Sequence, residues 1–278
     1  MLKSQEKKNN KVTVASPAFN AERTFKKIGA AEIIKKIAKS IIYSSGLIPN
    51  CDALREVWVR KKLARLHKGG SIIDVGAGEM IYKLSCQHLS YTSQDFGEFT
   101  GKNVKKGLPS EEFNARRVDI ISDIIKIPAK SASFDYILCT EVFEHIPNPF
   151  AALKEISRIH RVGGTFILTA PHCSLTHFYP YYFYSGFSRE FYKTVLPMFG
   201  YKIISLETNG NYFMWIAQEL IRMPMILLSH SKIAFLFIIP LFLLTLPLLT
   251  GIRIVGILFP KSSDLLWWDT FVVAVKER

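Results

Sequence analysis

Ser71-Ile72-Ile73-Asp74-Val75-Gly76-Ala77-Gly78-Glu79 (SIIDVGAGE) is the stretch on which the fold turns. Ser71–Val75 is a short apolar run, as expected of a buried parallel strand. It runs straight into Gly76-Ala77-Gly78. Missing side chains there let the backbone turn sharply and let a ligand approach it closely. A helix is expected after this turn. The third glycine of a GxGxxG fingerprint is missing, since Lys83, Leu84 and their neighbours supply none. The chain also has no GxxxxGK[ST] loop, which argues against a P-loop nucleotide hydrolase. Asp95 lies 19 residues beyond Gly76, just past a second strand candidate at Tyr91–Gln94. A carboxylate in that place can accept both hydroxyls of a ribose.

Outward from this unit, strand and helix signals alternate. Arg117–Ile120 and Phe134–Cys139 read as strands. A helix follows, with Asn148 as its cap and Pro149 at its first position. Ala152, Leu153, Ile156 and Ile159 make its apolar stripe, and Gly163-Gly164 is expected to end it. Thr165–Ala170, Tyr201–Leu206 and Thr270–Val275 complete the strands. Such alternation predicts an α/β domain with a mainly parallel sheet.

Five segments in this order resemble the class I S-adenosylmethionine-dependent methyltransferases, in particular the type 11 family. They are the glycine loop; Asp119–Pro128 (DIISDIIKIP); Ser133–Cys139 (SFDYILC); Glu141–Pro149 (EVFEHIPNP); and Leu153–Pro171 (LKEISRIHRVGGTFILTAP). The likeness covers about residues 50–215 together with Thr270–Val275. It implies a Rossmann-like sheet, mostly parallel with the last strand antiparallel, and S-adenosyl-L-methionine as cofactor. By position it implies that Asp74, Gly76, Ala77 and Gly78 cradle the methionine part. Asp95 and Phe96 would meet the ribose, Asp123 and Ile124 the adenine, and Thr140 and Glu141 the methionine side. Met80 stands where many members have a third glycine.

Methyl transfer is an in-line displacement on a sulfonium, so holding donor and acceptor in line is the main task. A base helps when the acceptor is a hydroxyl. Three histidines follow strand ends, where open α/β sheets bind ligands: His145, His172 and His177. For His145 a structural role weighs at least as much as a catalytic one. His177 opens His-Phe-Tyr-Pro-Tyr-Tyr-Phe-Tyr (177–184). This run resembles a His-x-x-Pro-x-Asp-aromatic-aromatic-Arg pattern of relatives acting near cell-surface glycans. It departs from that pattern at Tyr182 and Ser185. The tyrosines suit a wall for a ring-bearing or sugar-like acceptor.

Charge and apolar character are unevenly placed. The 278 residues carry a formal net charge of +13. Residues 1–70 hold 16 Lys or Arg against 5 Asp or Glu, a net of +11, so the remainder is nearly neutral. A basic face for gripping a duplex is therefore not expected. Cys51, Cys86, Cys139 and Cys173 form no CxxC pair, so neither a zinc site nor a disulfide scaffold is expected. Residues 1–49 read as a basic arm and an amphipathic helix over Ala21–Ile42, and the polar start is no signal peptide. Ile233–Ile252 is twenty residues without a charge, within an apolar insert over 216–262. It lies before the last strand of the core, at 263–278. Because that strand should rejoin the sheet, a single crossing is ruled out; a hairpin bending at Pro240, Pro247 or Gly251 fits. Trp267 and Trp268 beside it suit an interfacial depth.

The resulting expectation is an enzyme on the cytoplasmic face of a membrane that methylates a small or lipid-linked acceptor. O-methylation of a sugar or glycan intermediate comes first, and a quinone or other lipid next. A nucleic-acid methyltransferase and a non-catalytic S-adenosylmethionine-binding protein are the rivals from other classes. Nucleic acid is not an expected partner.

Overall fold

The computed structural model describes residues 51–278, apart from 100, 102–105 and 109–114. The basic arm and the amphipathic helix expected within 1–49 lie outside the described residues. Helix α1 (Cys51–Leu63) precedes strands β1 (Ser71–Val75), β2 (Ser90–Asp95), β3 (Ile120–Ile121) and β4 (Phe134–Thr140). Helix α2 (Pro149–Ile159), β5 (His160–Pro171), α3 (Arg189–Met198) and β6 (Tyr201–Asn209) follow. Two long helices, α4 (Tyr212–His230) and α5 (Lys232–Leu258), then lead to β7 (Asp269–Lys276).

The seven strands form one sheet in the order β3-β2-β1-β4-β5-β7-β6. Strands β1 to β5 pair in parallel, and β7 is antiparallel to both neighbours. Alternation along the strands feeds two cores. Ile73, Val75, Ile137, Phe166 and Val272 pack against α2 and α3 through Leu153, Ile156, Val195 and Leu196. Ile72, Leu138 and Ile167 face the other way, onto Val59 and Leu63 of α1. Strand order reverses between β1 and β4, where outward crossovers open a crevice at the strand ends.

Two expectations change. No α-helix follows the glycine turn; a short 3₁₀ turn over Lys83–Cys86 stands there, and α1 covers that face of the sheet. Met80 has φ of 56°, a left-handed conformation in which glycine would be at ease. The helix after Pro149 starts as predicted, with the Asn148 side chain accepting from Ala151 N at 3.0 Å. It ends at Ile159, however, and Gly163-Gly164 lie inside β5. The buried His160 ring, bonded to Tyr201 Oη at 3.1 Å, fixes that switch into strand. A Cβ on Gly164 would sit 2.4 Å from that ring and 2.5 Å from Asp135 O, so the glycine answers a close strand approach.

The apolar insert also differs from expectation. Its bend falls at Ser231, in extended conformation, and α5 runs through Pro240, Pro247 and Gly251 unbroken. Asn211 at the start of α4 donates to Gly256 O near the end of α5 at 2.9 Å, which closes the base of a helical hairpin. Ala217, Ile221 and Leu249 form its seam. Ile233, Leu236, Phe237, Leu243 and Leu248 remain exposed on α5. Among the described residues no helix is long and apolar enough to cross a membrane. The two tryptophans are not at the hairpin's surface. Both are buried, with Trp267 stacked 3.5 Å from His172 and Trp268 against Gly210.

Candidate active site

The crevice at the carboxyl ends of β1, β2 and β4 holds a cavity of about 440 Å³. Gly76 and Gly78 form one side of it. Asp95, Phe96, Ser122, Asp123 and Ile124 form another, and Glu141, Val142, His145 and Phe178 close it.

At Gly76 φ is +71° and an added Cβ would lie 2.4 Å from Val142 Cγ2. The loop is thus pressed against the turn after β4. Asp95, buried at the end of β2, accepts from Gly78 N at 3.0 Å and from Gly97 N at 2.9 Å. Burial raises its pKa, and these backbone donors work against that rise. Three backbone donors leave part of the carboxylate's acceptor capacity open, so it can still accept a hydroxyl donor. Gln94 beside it donates to Ser122 O at 2.6 Å, while its Oε1 is buried with no partner among the described residues. Gln94 is itself part of the cavity lining. Asp123 lines the cavity and accepts from Ile125 N at 3.1 Å.

Beneath the methionine side lies a charge cluster. Arg55 of α1 contacts Glu141 at 3.2 Å, Asp269 at 3.0 Å and Asp52 at 2.6 Å. Glu141, at φ 54°, also accepts from Thr169 Oγ1 at 2.9 Å. Burial lifts the Glu141 carboxyl well above the usual carboxylate range, and one guanidinium shared among three carboxylates offsets only part of that. Asn209 donates to Asp269 Oδ2 at 3.0 Å, so β6, β7, α1 and the turn after β4 meet here. Nothing in residue spacing pointed to Arg55. Its only sequence signal is a cation in the first helix before the glycine loop.

Other predicted residues sit elsewhere. Asp74 is buried outside the cavity wall, accepting from Tyr91 Oη at 2.7 Å, and burial pushes its pKa up to about 7. Ala77 and Thr140 also do not line the cavity. His172 does not line it either, being stacked on Trp267 with its Nδ1 3.4 Å from Phe187 O.

His145 and His177 come together, their ring centroids 4.8 Å apart. His145 Nδ1 donates to Tyr181 O at 2.6 Å, and His177 Nδ1 donates to Leu175 O at 2.8 Å. Both Nε2 atoms therefore present lone pairs. Burial lowers both pKa values, that of His145 to about 4. Between the rings lies Glu144, wholly buried, its pKa pushed up by burial to about 8. Sequence reasoning passed over Glu144, because a carboxylate next to His145 is easily taken for part of the turn. Phe96 and Phe99 pack edge-on to Tyr181, whose hydroxyl donates to Glu98 at 3.0 Å. These rings form an aromatic wall over the cavity.

Known proteins bear on this geometry. The model of the type 11 methyltransferase-domain family matches residues 73–168. A ubiquinone biosynthesis O-methyltransferase of Xanthomonas oryzae pv. oryzae is 30% identical over 121 residues, 42% of this chain and 50% of that protein. The chain thus aligns with about half the length of the curated relatives it matches. Among solved structures, an S-adenosylmethionine-dependent methyltransferase assignment from Listeria monocytogenes aligns with TM-score 0.48 at 13% identity, over 81% of this chain and 100% of that one. The phosphoethanolamine N-methyltransferase 2 of Haemonchus contortus, solved with S-adenosyl-L-methionine, aligns with TM-score 0.45 at 16% identity, over 81% of this chain and 52% of that one. Residues 73–168 thus match the model of the type 11 methyltransferase-domain family, and the strand order already described is in keeping with that match.

Proposed function

We propose that the chain is an S-adenosyl-L-methionine-dependent methyltransferase that works at a membrane surface and methylates a hydroxyl of a lipid-soluble, ring-bearing acceptor. One observation carries the cofactor part: Asp95 sits in the wall of the cavity, bonded to the glycine turn. The residues present fit the group. Asp95 would hold the ribose hydroxyls, Asp123 and the Ile124 backbone the adenine, and Gly76 and Gly78 the methionine end. When bound, this cofactor supplies an electrophilic methyl group on a sulfonium. The chain's own contribution is to align the acceptor, keep water out with Phe96, Phe178 and Tyr181, and take up the hydroxyl proton. His145 lines the cavity, is neutral near pH 7 and has its Nε2 lone pair free to accept that proton.

Two observations support a lipid-soluble acceptor. The relative named above methylates in ubiquinone biosynthesis by its name. The hairpin also touches the acceptor side, since Trp215 of α4 donates to Cys173 O at 3.4 Å, next to the segment that carries His177. Exposed Ile233, Leu236 and Phe237 give the hairpin an apolar tip suited to the headgroup boundary of a bilayer on the cytoplasmic side. The partial glycan-type pattern at His177, Pro180, Phe183 and Tyr184 keeps a lipid-linked sugar as the second reading.

The test is incubation of labelled S-adenosylmethionine and the protein with cell extract, then separation into lipid, glycan, protein and nucleic-acid fractions. Label should enter the lipid fraction. Asp95→Asn should weaken S-adenosylhomocysteine binding by about tenfold or more in calorimetry, the cost of one charge-assisted contact. Absence of cofactor binding by the unaltered chain would sink the enzyme reading.

A further inference from the structure

We propose that Glu144, His145 and His177 form a binding site for a divalent first-row transition metal, zinc being the reference ion, opening onto the cavity. One ligand atom from each residue lies within 4.8 Å of the others. Glu144 Oε1 is 3.5 Å from His145 Nε2 and 3.9 Å from His177 Nε2. Ligands held about 2.0–2.1 Å from a tetrahedral zinc stand about 3.4 Å apart, so the first distance already fits, while the second, and the two histidine atoms that lie within 4.8 Å of each other, need ring movement. As hydrogen bonds both distances are too long.

The chemistry of the donors argues the same way. Both carboxylate oxygens of Glu144 and Nε2 of His145 are buried, and no other residue among those described bonds to them. Both Nδ1 protons are committed to backbone carbonyls, of Tyr181 and Leu175. That commitment selects the tautomer whose Nε2 is the ligand atom, the outer-sphere arrangement usual around metal-bound histidine. Once Glu144 is ionised, three acceptors converge, and a cation between them satisfies all three at once. Two imidazoles and one carboxylate favour zinc, manganese, iron or cobalt over magnesium or calcium, which prefer all-oxygen shells. The backbone holds the set firmly, because Phe183 N and Tyr184 N donate to Glu144 O at 2.9 and 3.2 Å. The cysteine pattern gave no reason to expect a metal, and these ligands are histidine and glutamate instead.

His145 lines the cavity, so a metal on its Nε2 would sit at the cavity's edge. There the metal would bind the acceptor's oxygen as a Lewis acid. The O–H bond would break with its proton passing to a water on the metal, and the oxygen's electron pair would form the bond to the methyl carbon as the carbon–sulfur bond of the sulfonium breaks. This role rests on the methyltransferase reading and replaces His145 as base; the metal site itself does not depend on it.

Calorimetry on the full chain, stripped with a chelator and titrated with zinc, tests the site. S-adenosylhomocysteine binding on the same samples reports whether each is folded. One zinc per chain is expected, with Glu144→Gln and His177→Ala weakening it by about tenfold or more while S-adenosylhomocysteine still binds. No zinc binding by a sample that binds S-adenosylhomocysteine overturns the metal site alone, as does zinc binding that neither substitution alters. Zinc binding without S-adenosylhomocysteine binding removes only the methyltransferase reading. If the variants do not fold, cobalt on the unaltered chain decides: a visible ligand-field spectrum of nitrogen and oxygen coordination supports the site, and a spectrum of aqueous cobalt overturns it.

Discussion

A Cβ placed on Gly76 meets Val142 at 2.4 Å, whereas one placed on Gly78 meets nothing within 4 Å. Both glycines have positive φ, so alanine at either position costs about 1–2 kcal/mol in backbone strain. Only Gly76→Ala must also push the turn after β4 aside. Gly76→Ala should therefore abolish S-adenosylhomocysteine binding, and Gly78→Ala should retain it with reduced affinity, as calorimetry would show. Asp74 offers a test of another kind. Its pKa is raised from 3.8 to about 7 by burial, so the folded chain binds more protons than the unfolded one between those values. Stability from this group is complete below pH 3.8 and falls as pH rises through about 7. Asp74→Asn keeps an acceptor for Tyr91 and removes the ionisation. It should raise the melting temperature at pH 8 and leave it nearly unchanged at pH 4, a difference on the order of a few kcal/mol.

At the scale of elements, Arg55 joins α1 to β7 and to the turn after β4. Arg55→Met leaves Glu141 and Asp269 buried without their cation, at a cost of about 3–5 kcal/mol. Chemical denaturation should show that loss, with cofactor affinity falling as well because Glu141 lines the cavity. This cluster also shows where sequence reading stops. Strands β1, β4 and β7 were legible because continuous apolar runs are what a strand buried on both faces requires. The start of α2 was legible because Asn148 and Pro149 carry its cap chemistry within two residues. Its end was not, since Gly163-Gly164 answered a neighbouring strand rather than a helix terminus. The 3₁₀ turn after Gly78 was missed for a similar reason: α1, from before the loop, fills the layer in which a helix was expected. Asp95 could be found by its distance from Gly76. Arg55 could not, because its partners Glu141 and Asp269 lie far away in the chain, and Glu144 could not, because its burial and its approach to His177 appear only in the fold.

The whole molecule joins a sheet-based catalytic domain to a hairpin whose exposed side chains are apolar. Helices α4 and α5, of 19 and 27 residues, are about 28 and 40 Å long. Phe237 and Leu236 of α5 are 80% and 66% exposed, on an element with no charge between Ile233 and Ile252. If this surface meets lipid, the unaltered chain should float with anionic vesicles on a density gradient. Leu236→Asp with Phe237→Asp should weaken that binding by at least about tenfold, given roughly 1.5–3 kcal/mol for each large apolar side chain kept in water. Unchanged flotation would remove the membrane part of the proposal.

The pairing of β6 with β7 gives the hairpin a further property. Asn209 stands opposite Asp269 as the last pair of that ladder, so the chain leaves the sheet and returns to it at neighbouring positions. Everything from 210 to 268 is, topologically, one long excursion between two adjacent antiparallel strands. A tight turn would join the same strands, and the entropy of closing the longer path grows only logarithmically with its length. The hairpin is thus a detachable module. Its ties to the core run through Trp215, Asp264, Trp267 and Trp268, close to the two strand ends, so a chain with a shortened tip should keep the Asn209–Asp269 pairing.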